Sequence, residues 1–160
     1  MLSGFKIDRI LDKVLPLLNE NRIPEALELL GKAEAHDPAD PYLQLYYGIA
    51  RFNLNEFEKA REHLLMADEK LKVDAIPMIY LGRIYLAENQ SELALESFAK
   101  AVKKDKLHPE AHYYAGIAYL KLNRLEEATR EFEIVLAEKS EFVLARILTL
   151  LEWKNLHDHQ

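Results

Sequence analysis

Four alanines, Ala26, Ala60, Ala94 and Ala128, stand 34 residues apart without a gap. A period of that length restricts the chain to a stack of small supersecondary units, each too small to bury both its faces alone. The same offset aligns Gly48, Gly82 and Gly116, with Val14 in the first copy. It also aligns Leu30, Leu64, Phe98 and Phe132, and then Ala33, Ala67, Ala101 and Val135. Four copies follow, 7–40, 41–74, 75–108 and 109–142, with an N-terminal segment 1–6 and a C-terminal stretch 143–160.

Inside each copy the apolar residues recur at three and four, as in Leu81, Ile84 and Tyr85 and then Leu93, Leu95, Phe98, Ala101 and Val102. That spacing is helical, so each copy is a pair of helices and the fold class is all-α. Asn21, Asn55, Asn89 and Asn123 form one column between the paired helices. Asparagine tolerates the left-handed conformation that ends one helix and turns into the next, which makes this column the hinge of each hairpin. The junctions between copies carry Asp40-Pro41, Asp74-Ala75-Ile76-Pro77 and His108-Pro109, where a capping side chain or an early proline suits a helix start. Residues 143–160 open a fifth copy with Ala145, Leu148, Leu150 and Trp153 at helical spacing, giving about nine antiparallel helices.

The 160 residues carry Lys+Arg 21 against Asp+Glu 27, a net charge of -6, and are 49% hydrophobic and 30% charged. This is enough apolar material for a continuous core and too much for a disordered chain. The acidic balance excludes a basic nucleic-acid-reading surface. Zero cysteines remove disulfides, thiol catalysis and thiolate metal sites. No stretch reads as a signal peptide or membrane span, so the expected location is cytoplasmic, with no membrane insertion.

The motif Leu81-Gly82, Tyr85, Ala94, Phe98 and Ala101, echoed by Gly116, Tyr119, Ala128 and Phe132, resembles the tetratricopeptide repeat, and the resemblance covers residues 7–142. It implies a right-handed superhelix, an α-solenoid, whose first helices line a concave groove that binds peptides. The first copy departs from the pattern, with Val14 in the glycine column, Lys13 beside it and Pro16 inside the first helix, which predicts a kinked, weaker first repeat. In the second copy Arg51 stands where later copies have Tyr85 and Tyr119, so its guanidinium must leave the seam or find a carboxylate.

On the geometry of that family the groove is lined by Leu11 and Leu15; by Tyr42, Leu45, Tyr46, Ile49 and Asn53; by Ile76, Ile79, Tyr80, Arg83 and Ala87; and by Glu110, Tyr113, Tyr114, Ile117 and Lys121. Tyr46, Tyr80 and Tyr114 share a column and should form a ladder, each with a flat apolar body and a hydroxyl. Packing between adjacent first helices is the other reading of the same column. The family's carboxylate clamp for chaperone C-termini needs Lys, Arg and Asn. Here its positions hold Leu11, Leu15, Tyr46, Ile76 and Tyr80 in one register and Leu45, Ile49, Tyr80, Glu110 and Tyr114 in the next. The expected partner is therefore a protein or peptide presenting apolar or aromatic side chains, as an amphipathic helix or an extended segment, with at most a charge near Arg83 and Lys121.

No catalytic constellation emerges. His108 and His112 are four apart around Glu110, but the first sits at a helix boundary and the second at a seam position, which suits a structural histidine better than a metal ligand. No cofactor or metal is expected, and the chain reads as a non-enzymatic scaffold. The alternative is a self-associating assembly protein. Ile147, Leu150 and Trp153 would form an uncovered apolar end and support a homodimer, unless Trp153 folds back onto Phe132 and Leu136.

Overall fold

The computed structural model describes residues 2–137 and holds eight α-helices there, with no strand among the described residues. They are α1 (Leu2–Asn19), α2 (Ile23–Glu34), α3 (Pro41–Asn53), α4 (Phe57–Lys70), α5 (Ile76–Ala87), α6 (Ser91–Lys104), α7 (Pro109–Lys121) and α8 (Leu125–Ala137). The expected ninth helix, and with it Ile147, Leu150 and Trp153, lies outside the described residues. α1 begins ahead of residue 7, so residues 2–6 extend the first helix instead of preceding it.

Each hinge is a left-handed asparagine: φ is 57° at Asn21, 58° at Asn55, 59° at Asn89 and 58° at Asn123. The amide after each one donates back to the end of the preceding helix, from Arg22 to Leu17 O, Glu56 to Arg51 O, Gln90 to Tyr85 O and Arg124 to Tyr119 O, at 2.8–2.9 Å. This satisfies carbonyls that a helix end otherwise leaves open, and it fixes the turn angle identically in every hairpin. Pro16 lies within α1, which runs on to Asn19; Asp12 and Pro16 are both exposed, so the carbonyl robbed of its donor faces water.

Paired helices approach through the small-residue columns. A β-carbon on Gly82 would fall 2.3 Å from the ring of Phe98, and one on Gly116 would fall 2.3 Å from the ring of Phe132; on Gly48 it would meet Leu64 at 2.7 Å. These glycines have ordinary helical φ, so space and not conformational freedom dictates them. Phe98, Phe132 and Leu64 are fully buried, as are the alanines of the 34-residue column. The first copy pairs Val14 with Leu30, both fully buried, trading one large residue for two of middle size.

Between copies, α2 packs on α3, α4 on α5 and α6 on α7, while α1, α3, α5 and α7 also touch in succession and form the inner layer of the solenoid. Lysines strap the junction loops: Lys70 Nζ donates to Ala39 O at 2.9 Å, and Lys104 Nζ donates to Leu71 O at 3.0 Å and Asp74 O at 3.1 Å while pairing with Asp68. At the next junction buried His112 does this work, with Nε2 2.7 Å from Lys106 O and Nδ1 2.6 Å from Glu131 Oε2. Both ring nitrogens are thus spent on protein oxygens, and because a carbonyl only accepts, Nε2 carries the hydrogen. Arg51 finds its carboxylate in Glu56 Oε2, at 2.9 Å in a half-buried pair.

The close glycine contacts make a specific prediction. Gly82→Ala should lower unfolding free energy by about 1–3 kcal/mol, as overpacking against a ring does. Gly48→Ala should cost less, because a leucine can change rotamer. Combining Gly82→Ala with Phe98→Leu should cost less than the sum of the two single changes in urea denaturation.

Candidate functional site

The inner layer presents its side chains in columns one repeat apart, and the columns differ in burial. Leu11, Leu45, Ile79 and Tyr113 form one column and all are buried. This corrects the placement of Ile79 and Tyr113 as groove contacts, since neither lines the concavity. Tyr113 packs edge-on to Tyr114 and tilted against Phe132 of α8, in a cluster with Ala128 and Val135. Ile49 is buried as well and, with Leu45, forms the floor of the concavity.

The ladder column is Asp12, Tyr46, Tyr80 and Tyr114, and its three rings are half-buried. Tyr46 leans on exposed Tyr42, centroids 6.4 Å apart. Tyr80 packs edge-on to Phe52 at 5.2 Å, and Tyr114 stacks on Phe98 at 6.2 Å. The packing reading of the column therefore holds for part of each ring.

Arg83 occupies the gap between two rungs. Its guanidinium lies 4.6 Å from the ring centroids of Tyr80 and Tyr114 and 4.7 Å from that of Phe52, a cation held by three π-faces. Lys121 is exposed along its length, but its ammonium reaches Leu86 O, 3.3 Å away in the last turn of α5, where the helix end is electronegative. Both cations expected to meet a ligand are thus engaged by the protein itself. Ile117 is half-buried beside Tyr114.

The open part of the groove lies toward the N-terminal repeats. A concavity of about 340 Å³ is floored by Leu45 and Ile49, walled by Leu15, Asn19, Tyr42, Tyr46, Ile76 and Tyr80, and rimmed by Asp74 and Glu110. Its polar side is acidic. Burial pushes the Tyr46 phenol above its usual value, and Tyr42 and the carboxylates of Asp12, Asp74 and Asp40 push it further in the same direction. Burial likewise raises the Tyr80 phenol; Glu110 adds to the shift and Arg83 opposes it.

Sequence reasoning placed Glu110 in the groove but read Asp74, like Asp40, only as a capping side chain at a helix start, a role both also have. Asp40 Oδ1 accepts from the amides of Tyr42 and Leu43, and Asp74 Oδ1 from that of Ile76, all at 2.9 Å. The available signal was Asp12, which stands in the ladder column of the first copy.

Two tetratricopeptide repeat family models match the chain, one over residues 17–76 and one over 81–141. Among solved structures, the chain is similar to MamA, with 22% identity, 83% of this chain and 78% of that one covered and a TM-score of 0.69. It is also similar to TTC0263, a thermophilic TPR protein of Thermus thermophilus, with 19% identity, 83% and 74% covered and a TM-score of 0.75. A third such structure is MamA from residue 41 onward of Desulfovibrio magneticus, with 19% identity, 84% and 77% covered and a TM-score of 0.68. A search of curated proteins gives no match.

The raised phenols predict a pH dependence. A native state that holds its phenol protons more tightly than the unfolded chain keeps its full stability below about pH 10 and loses it as pH rises through the raised values. Tyr46→Phe and Tyr80→Phe should each flatten the decline in urea-unfolding free energy from about pH 9 to about pH 11.5, and each should remove one late-titrating phenolate from the absorbance at alkaline pH.

Proposed function

The chain belongs to the tetratricopeptide repeat family, and from that premise we propose that it is a scaffold that binds a partner polypeptide through the concavity of α1, α3, α5 and α7. The observation that carries this reading is the open stretch of aromatic and aliphatic surface around Tyr42 and Tyr46. Tyr42 is 44% exposed and Leu15 40% exposed, and they stand over a floor that is already packed. Such a site offers apolar anchorage on a rigid bed, the arrangement in which a few aromatic contacts dominate a binding energy.

The partner's contact residues are apolar or aromatic, presented by an amphipathic helix or an extended segment. A chaperone-type C-terminal carboxylate is a poor occupant, because the clamp positions hold Leu11, Leu15, Tyr46, Ile76 and Tyr80, and the nearby charges are carboxylates. No helix among the described residues is long and apolar enough to cross a membrane.

Tyr42 and Tyr46 are better test positions than Tyr80 and Tyr114, whose rings also hold Arg83. In fluorescence anisotropy with labelled peptides selected on the wild-type protein, Tyr46→Ala should weaken binding by about tenfold or more, and Tyr42→Ala by a smaller factor. Both variants should keep the helical circular-dichroism signal. Unchanged affinity in both would move the binding surface away from this groove.

A further inference from the structure

Resting on the groove reading above, we infer that the occupant is a cationic amphipathic segment, an apolar or aromatic anchor flanked by lysine or arginine. The concavity is lined by ten residues, of which two, Asp74 and Glu110, are carboxylates and none is a cation. Asp12 continues the same face at the start of the ladder column, and among the described residues neither Asp12 nor Glu110 takes part in an ion pair. These carboxylates are therefore available to an incoming charge.

Three cations of the neighbourhood are engaged by the protein itself. Arg83 is held by three rings and Lys121 by a helix-end carbonyl. Lys104, which approaches Asp74 from behind, bonds its backbone carbonyl and pairs with Asp68. The side chain of Asp74 is meanwhile oriented by the Ile76 amide, so the loop is fixed before a ligand arrives. Preorganised carboxylates beside apolar surface complement a chain that alternates basic and apolar side chains, and a net charge of -6 draws such a chain in from a distance.

The occupant is a polypeptide because the acids are spread along the groove. Asp12 stands on α1, Asp74 before α5 and Glu110 on α7. Successive packed helices are roughly 8–10 Å apart, so two or three spacings correspond to roughly six to eight residues of extended chain at about 3.3 Å each. Asp74 and Glu110 share one concavity, and a segment long enough to reach on to Asp12 meets all three.

The test is retention of a pooled library of 12-residue peptides, randomised over Leu, Phe, Tyr, Ser, Lys and Glu, on the immobilised full chain, followed by sequencing of what is kept. Wild type should retain peptides enriched severalfold in Lys and depleted in Glu, with the bias shrinking as salt is raised from about 0.05 M to about 0.5 M, where screening shortens to a few ångströms. The conservative triple variant Asp12→Asn, Asp74→Asn, Glu110→Gln keeps the cap acceptor at residue 74. It should retain apolar peptides while losing the Lys bias. Tyr42→Ala and Tyr46→Ala should retain less peptide of every charge.

Retention with no Lys bias, still lost on Tyr46→Ala, overturns the cationic partner and leaves the groove reading standing. Retention of Lys-rich peptide that is undiminished by both tyrosine substitutions is attraction to acidic surface elsewhere and overturns the inference together with the groove. No retention by the wild-type chain also overturns both.

Discussion

The close approach of paired helices at a glycine facing a large side chain is the contact on which the rest of the structure depends. Gly82 against Phe98 and Gly116 against Phe132 leave no room for a β-carbon, so the third and fourth hairpins are held at one close separation, and Gly48 against Leu64 does the same in the second. With the separation set by that contact and the turn set by a left-handed asparagine, every hairpin becomes nearly the same rigid body. Identical bodies with one apolar side must then stack, and stacking is what puts four first helices in a row.

Polar groups decide how the hairpins meet. Interior packing between copies is apolar and leaves angular freedom that the junction loops remove. Lys70 and Lys104 each reach carbonyls of the preceding junction loop, and His112 takes over where the third copy meets the fourth. The two lysine straps also hold the loops that carry Asp40 and Asp74, so the same bonds that fix the stacking fix the acidic rim of the groove. Shape and electrostatics of the concavity are coupled through side chains on the opposite side of each loop.

Much of this was legible in the sequence, because the quantities involved are periodic. The alanine and glycine columns gave the helix pairing, and the asparagine column gave the hinges; each is a steric or conformational demand that few residues meet. The groove was less legible. A helix turns about 100° per residue, so Ile79 and Tyr80 differ by one position and yet one lies in the packed layer while the other walls the concavity. Periodicity names a face to within a residue or so and does not separate floor from wall. Arg83 was placed in the groove as a free charge, and its engagement escaped for another reason: its three aromatic partners come from α3, α5 and α7, far apart in the chain.

Arg83 also explains why the concavity is not uniform along its length. Where Ile49 leaves a smooth floor between Tyr46 and Tyr80, the arginine fills the equivalent space between Tyr80 and Tyr114 with a group that is weakly hydrated and well suited to ring faces. The C-terminal half of the ladder is thereby satisfied internally, its positive charge shared among rings. The N-terminal half keeps its rings open and its charges negative. One substitution in a repeating column thus divides a regular surface into a part filled by its own side chains and a part that keeps an open concavity at a particular place along its length.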